Sequence, residues 1–578
     1  MLASPGVRAE IDVAGAPATT TVVVQPRAPA VTRRIRRGPD RFELCVLGAF
    51  AALSLWVLGL DLYQVIAHGL VWTGTDGVYL VDQMQYLAWI RDAAHHVLAS
   101  DLFVLRPTPA DYFQPAVAIS GALTAVGVAP WLALLLWKPV AVVAAFYGVR
   151  EYAHRSFEGT WPRRAALTLG LFFGSFTVIY GSVGVIGDLF VPFLSWGYTF
   201  GLLALAVMLF ALFAYERARA RAVAGARAIP WAPGLLGALA SLLHPWQGEL
   251  LILIIAGTEL TLWMADRRTT WRVALPLITV IATALPLAYY AILGRADLTW
   301  GLARVASMHS FSMPTILLAL TALLLPALLA APARRRTFLA TVTRVWLVAA
   351  VMIFLLSGTD VSGAPLHAFE GITIPLSVLA IEGLQRAGFG RLRARRAIML
   401  AGLAVVTIPA TVYELHAVRQ LVAPQPGNAS FITSDEQRAL QFLARDPNPG
   451  GVLTRFYLGA VVPAQTGRRT YVGDCPWSQP NCSARAQIAQ MIFDGSIPAE
   501  AARSFVSQIG ARFVLTDCQT RPGMAAVLAP MTQSVHRFGC AAVYQLRSVA
   551  RPVGPLAESA PNAALRASGR NQRRVQYG

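Results

Sequence analysis

The 578-residue sequence predicts an α-helical polytopic membrane protein carrying a small C-terminal extracytoplasmic α/β domain. Three observations predict it. Apolar residues make up 56% of the chain and charged residues only 14%, where soluble proteins carry about 25% charge; the mean hydropathy is +0.53. Apolar runs near the length of a bilayer-spanning helix recur along the chain. Arginines cluster in every second loop between those runs, at Arg33–Arg34, Arg36–Arg37, Arg163–Arg164, Arg217 to Arg221, Arg267–Arg268, Arg334 to Arg336 and Arg391 to Arg396. That alternation is the positive-inside pattern, so the net charge of +19 reads as topology and not as affinity for nucleic acid.

Residues 1–40, rich in Ala, Pro, Val and Arg, predict a disordered cytoplasmic arm without the apolar core of a cleaved signal peptide. The membrane part is expected over residues 41–420, with a long outer loop at 64–130. Eleven spans are expected, near 42–63, 131–149, 165–184, 198–216, 231–245, 248–265, 272–293, 313–331, 339–357, 371–385 and 397–417. Residues 113–129 are apolar, short and broken by Pro115 and glycines, and suit the interface. An odd number of spans puts the N-terminus in the cytoplasm and the C-terminal region outside.

Residues 425–548 change character and predict the α/β domain; 549–578 read as a polar, disordered tail. Ser434 with Gln437 looks like a helix start ahead of "RALQFLA". "GVLTRFY", "RTYVG", "ARFVLTD" and "AAVYQL" read as strands, and "SARAQIAQMIF" and "PAEAARSFVSQIG" as helices, the latter with Gly510 past its end. Four of the five cysteines lie here. Outside the cytosol they are expected as disulfides, with Cys475–Cys482 and Cys518–Cys540 favoured because each closes a local loop; unpaired buried thiols are the other reading.

No Walker A sequence, Rossmann fingerprint or Cys-x-x-Cys zinc spacing is present. With short basic cytoplasmic loops, chemistry is expected on the outer face. There "YLVDQMQYLAWIRDAAHH" (79–96) concentrates polar groups. Read as a helix over 83–98, it puts Asp82 at the N-cap with Gln85 as capping partner. Tyr86 and Trp89 would then be interfacial anchors of an amphipathic helix lying on the membrane surface. Asp82 is either a cap alone or also a general base on a rigid element. Arg91 pairs with Asp92 or with lipid phosphate, and His95–His96 point to different helix faces, against a metal.

Three stretches resemble bacterial members of the GT-C class of membrane glycosyltransferases: "DQMQYLAWIRDA" (82–93), "LLHPWQGELL" (242–251) and "HAFEGITIPLSVLAIEGL" (367–384). "VVPAQTGRRTYVGD" (461–474) and "FDGSIP" (493–498) resemble their outer domains, so the likeness covers about residues 42–548. The resemblance implies a polyprenyl-phosphate sugar donor, an envelope glycan, lipid or protein acceptor, and a catalytic carboxylate in the first outer loop, here Asp82. Many members have two adjacent acids there, and this chain has Asp82–Gln83. Asp76 or Asp92 are the candidates for the second. No cofactor is implied with certainty, and a divalent cation stays open because paired carboxylates would hold it.

The leaving phosphate needs positive charge. Lys138, the single lysine, lies inside "LLLWKPVAVV", where an intramembrane charge marks function unless it snorkels to the interface. His244 at the break before Pro245, Arg304 with His309, and His367 are further phosphate-binding candidates. Trp246, Glu249 and Glu370 are substrate-site candidates beside them. The place of His367 and Glu370 often carries arginine in the resembling sequences. The expected function is an inverting glycosyltransferase; a transporter or flippase of lipid-linked glycans and a non-catalytic envelope scaffold are the alternatives.

Overall fold

A computed structural model of the chain describes residues 38–547, apart from residue 79 and segments 175–188, 225–230, 266–273, 308–311, 331–336, 358–364 and 390–392. His309 and the cluster Arg334 to Arg336 therefore lie outside the described residues, as do the N-terminal arm and the C-terminal tail.

Each of the eleven expected segments coincides with a helix, wholly or in part. Six described helices are long and apolar enough to cross a membrane: Pro130–Ser156, Thr199–Val223, Pro245–Ala265, Ala274–Ala296, Phe338–Leu356 and Ala397–Gln420. A seventh is the bent pair Arg41–Ser54 and Trp56–His68, which turns by 43°. Trp231–Leu243 and Met313–Leu328 are shorter apolar helices. Among the described residues, helix length and composition alone thus support up to seven of the eleven spans, and the multi-pass architecture stands.

Helix Thr199–Val223 is the centre of the bundle. It is apolar all round, as a fully surrounded helix must be, and 89% of its spanning window is buried. The Arg41–Ser54 helix begins at a capping box between Asp40 and Glu43. Glu43 also accepts from Arg150 Nε at 2.9 Å and contacts His154, so one buried carboxylate ties two helix ends together.

The loop after the first span turns back on the bundle at Gly77. Its φ of +141° and a virtual Cβ only 2.1 Å from the Trp196 carbonyl oxygen leave room for glycine alone. The Val78 N–H donates to that same oxygen at 3.0 Å. The helix that follows is Leu80–His96, three residues earlier than expected. Asp82 therefore sits inside its first turn and is not the cap. Nor does this helix have the single buried face of an amphipathic surface helix. It packs between Pro115–Ala125 and Phe456–Thr466, so residues from Gln83 to Ala93 on both of its sides are buried. The amphipathic reading failed because a second covered face, with Gln83 and Gln85 in it, looks polar in the sequence.

The C-terminal part holds a four-stranded sheet in the order β3 (Val452–Leu453), β4 (Phe513–Thr516), β6 (Ala541–Leu546), β5 (Thr532–Phe538). The β3–β4 pair is parallel and the others are antiparallel. "RTYVG" forms only a single bridge, Val452 with Thr470. "GVLTRFY" keeps two strand residues before a helix, Phe456–Thr466, which was not expected. Strand β5 was missed as well. The helix start lies one residue early: Thr433 and Glu436, not Ser434 and Gln437, make the capping box of Ser434–Arg445. Strand β1 (Val71–Trp72) of the first loop pairs antiparallel with β2 (Phe431–Ile432) ahead of the sheet, clamping loop to C-terminal part. The cysteines pair as expected, Cys475–Cys482 and Cys518–Cys540.

Candidate active site

Three helix N-termini meet beneath the Leu80–His96 helix: those of Thr199–Val223, Pro245–Ala265 and Thr373–Arg386. Each brings a side chain from the residues just before or inside its first turn. Tyr198 precedes the first, His244 and Gln247 flank the start of the second, and His367 and Glu370 lie in the short 3-10 turn and bend before the third. Helix N-termini carry unsatisfied N–H groups and partial positive charge, which suits a buried carboxylate or a bound anion.

Glu370 is the centre of this group and fully buried. It accepts from Gln247 Nε2 at 3.0 Å and from His367 Nδ1 at 2.6 Å. His244 Nδ1 lies 3.4 Å from its Oε2, too far off line for a hydrogen bond. The other His244 nitrogen, Nε2, is 3.1 Å from the Tyr198 hydroxyl. Trp246 and Tyr198 cover the imidazoles, with Trp246 4.5 Å from the His367 ring and Tyr198 stacked on it at 5.5 Å. Thus four of the sequence candidates, His244, Trp246, His367 and Glu370, are brought together, joined by Gln247, which lies in "LLHPWQGELL" but was no candidate, and by Tyr198, which no motif marked. Glu249 lies half-buried one residue beyond Gly248 on the same helix.

Tyr86 connects this cluster to Asp82. Its ring meets Phe200 edge-on at 4.9 Å. Burial, Tyr112, Asp82 and Glu370 together push its phenol well above the usual range, so both carboxylates lie within electrostatic reach. Asp82 also lies within electrostatic reach of Asp474 in the C-terminal part. Asp474 is fully buried, and neither carboxyl oxygen has a hydrogen-bond partner. Burial, with Asp82 and Asp101 close by, pushes its carboxyl well up. Asp101 is held in the loop by the Phe103 N–H at 2.8 Å and is pushed up to about 7, chiefly by burial. Asp474 thus lies close to both Asp82 and Asp101, which come from a separate segment, and the sequence had no local spacing by which to show it.

The remaining candidates have structural partners. Lys138 donates to Asp76 Oδ2 at 2.8 Å and to the carbonyls of Ser54 and Ser195 at 2.6 and 2.8 Å. All three ammonium protons are used, and the side chain is buried, so it neither snorkels nor offers a hand to phosphate. Asp76 is spent in the same pair. Arg91 does not pair with Asp92: its Nε donates to the Ala464 carbonyl at 2.8 Å. Asp92 accepts from Ser100 N and Oγ at 2.7 and 2.8 Å. It stands about 15 Å along the helix from Asp82, too far to be its second acid. Arg304 is exposed on helix Leu298–Ala306.

An aromatic wall closes the space between loop and C-terminal part. Trp89 stacks on Trp300 at 5.7 Å, Trp300 on Tyr112 at 4.5 Å, and Trp477 meets Trp300 edge-on at 4.4 Å. Trp89 is thus a core residue of this wall and not an anchor in lipid headgroups.

No family model matches the chain, and no curated protein matches it. Solved structures are similar. The arabinofuranosyltransferase AftD from Mycobacteria aligns with a TM-score of 0.50 at 15% identity, over 89% of this chain and 42% of its own. ArnT from Cupriavidus metallidurans, solved bound to undecaprenyl phosphate, aligns with a TM-score of 0.50 at 13% identity, over 89% of this chain and 99% of its own. The oligosaccharyltransferase AglB from Archaeoglobus fulgidus aligns with a TM-score of 0.47 at 13% identity, over 89% of this chain and 75% of its own. At such identities the likeness is one of fold.

Proposed function

On the GT-C membrane-glycosyltransferase fold that this chain adopts, we propose an inverting glycosyltransferase working on the outer face of the membrane. Its donor is a polyprenyl-phosphate sugar, and its acceptor a hydroxyl of an envelope glycan, lipid or protein. One observation supports the reading: buried Tyr86 lies within electrostatic reach of both Asp82 and Glu370, and buried Asp474 within reach of Asp82.

In this mechanism Asp82 takes the proton from the acceptor hydroxyl. The acceptor oxygen forms its bond to the anomeric carbon as the bond to the lipid phosphate breaks on the opposite side, inverting the configuration. The departing phosphate carries the negative charge toward His367, His244 and Tyr198, where the helix N-termini favour an anion. Trp246 and the wall of Trp300 and Trp477 offer flat apolar faces to sugar rings. Undecaprenyl phosphate in the similar ArnT structure supports the lipid class of the donor.

Purified wild type and Asp82→Asn, supplied with polyprenyl-phosphate sugars and envelope glycan acceptors, test it. Loss of a general base is expected to cost about 10²- to 10⁴-fold in transfer. Since Asp82 lies inside the first turn of the helix, its replacement by Asn is expected to cost under about 1 kcal/mol of stability through the helix dipole. Equal transfer by the two proteins would rule Asp82 out as the base.

A further inference from the structure

Two adjacent tyrosines of helix Ala274–Ala296, Tyr289 and Tyr290, hydrogen-bond to both halves of the candidate site. We propose that this pair is the joint that keeps the His244 cluster and the aromatic wall in register. Tyr290 positions the helix break that carries His244 and Trp246, and Tyr289 positions Tyr112. The kinetic consequence rests on the function proposed above; the joint stands without it.

The break needs such a partner. Helix Trp231–Leu243 ends and Pro245–Ala265 begins on either side of His244. The carbonyls of a last helical turn lack partners within the helix, and Pro245 has no N–H to supply one. The Tyr290 hydroxyl fills the gap, 2.9 Å from the Leu242 carbonyl oxygen and 3.2 Å from that of Phe113. A phenol has one proton to donate, so Tyr290 shares it between the break and the outer loop. The Ser241 hydroxyl adds a second tie to the same helix, donating to the Thr283 carbonyl at 2.8 Å.

Tyr289 holds the loop. The backbone of Tyr112 exchanges both its hydrogen bonds with Ala99, at 2.9 and 3.1 Å. Its neighbours' groups then point the other way, as along a strand. There the Tyr289 hydroxyl takes the place of a second strand: it donates to the Asp111 carbonyl at 2.5 Å and accepts from the Phe113 N–H at 2.8 Å. Tyr112 is thereby fixed where it stacks on Trp300 at 4.5 Å. One helix thus sets the donor side and the wall from consecutive residues, and a shift of about 1 Å in such a positioning contact can cost on the order of 10²-fold in rate.

The test removes one hydroxyl at a time from the full-length chain in detergent. Tyr290→Phe and Tyr289→Phe keep the rings that pack against each other and against Tyr112. With polyprenyl-phosphate sugar and envelope glycan acceptor varied in turn, Tyr290→Phe is expected to raise the donor KM about tenfold or more and leave the acceptor KM in place. Tyr289→Phe is expected to do the reverse. A fall in kcat with neither KM moved, wild-type kinetics in both variants, or both KMs moving together in each overturns the positioning role. Amide hydrogen exchange reads the joint without turnover: about tenfold faster exchange is expected over residues 240–247 in Tyr290→Phe and over 99–113 in Tyr289→Phe. Faster exchange in these variants, with a wild type that transfers no sugar, keeps the joint and refutes the function. Wild-type exchange in both variants overturns the joint, with or without sugar transfer.

Discussion

Single residues here gain their meaning from partners far along the chain. Lys138 looked like a catalytic charge because it is costly in an apolar run, yet Asp76 and two carbonyls account for it entirely. Removing one member of a buried pair leaves the other unpaired, so Lys138→Met is expected to lose about 3–5 kcal/mol, while Lys138→Met with Asp76→Asn recovers most of it. Thermal unfolding of the two variants in detergent checks this, and equal loss in both would count against the pair. Asp101 makes a pH-dependent case. Its carboxyl rises from 3.8 to about 7 in the folded chain, mainly by burial; Arg106 and Arg469 lower it, and Asp297 raises it further. The folded state then binds more protons than the unfolded state, so the stability it contributes is whole below 3.8 and is lost as the pH climbs through about 7. Asp101→Asn, which keeps the acceptor for Phe103, is expected to gain stability over wild type progressively from pH 4 to pH 8. A gap that does not change with pH would show that Asp101 is ordinary.

At the scale of elements, the helix Leu80–His96 joins the loop to the C-terminal part. Arg91 reaches the Ala464 carbonyl from it, and helix Phe456–Thr466 packs along it. Arg91→Ala strands that carbonyl and is expected to cost about 1–3 kcal/mol, read as faster amide hydrogen exchange over Phe456–Thr466. Unchanged exchange there would mean that packing alone holds the two together. The disulfide Cys475–Cys482 staples the turn that carries Asp474 and Trp477. Replacing both cysteines by serine is expected to destabilise the C-terminal part by about 2–4 kcal/mol. If Asp474 is placed by that staple, transfer falls as well, at temperatures where the fold still holds.

At the scale of the molecule, the loop, the sheet-bearing part and the three helix N-termini lie together, so they must share one side of the membrane. From the arginine pattern we propose that this side faces away from the cytoplasm. A reporter fused after residue 430 is expected to read extracytoplasmic in cells, and a cytoplasmic reading would sink the proposed reaction along with the topology. The aromatic wall of Trp89, Tyr112, Trp300 and Trp477 draws on three separate regions. It makes the C-terminal part a wall of the candidate site, and not an appendage to it.

What the sequence by itself determined is local and repetitive. Apolar runs of membrane length, arginines in alternate loops and four cysteines grouped in one stretch predict the helices, the change of character near residue 425 and the disulfide pairs. These depend on each segment's own composition and on neighbours close in the chain. His244, Trp246, His367 and Glu370 were legible because each sits at a polar break in an apolar pattern. Only the tertiary structure decided that they meet, that Lys138 and Asp76 neutralise one another, and that Asp474 stands close to Asp82 and Asp101. Those contacts join residues from about 60 to nearly 400 positions apart, and chain closure over such distances leaves no periodicity or spacing in the sequence. For the same reason the buried polar side of Leu80–His96 read as a wet face: a polar residue covered by another segment has the same letter as one covered by water.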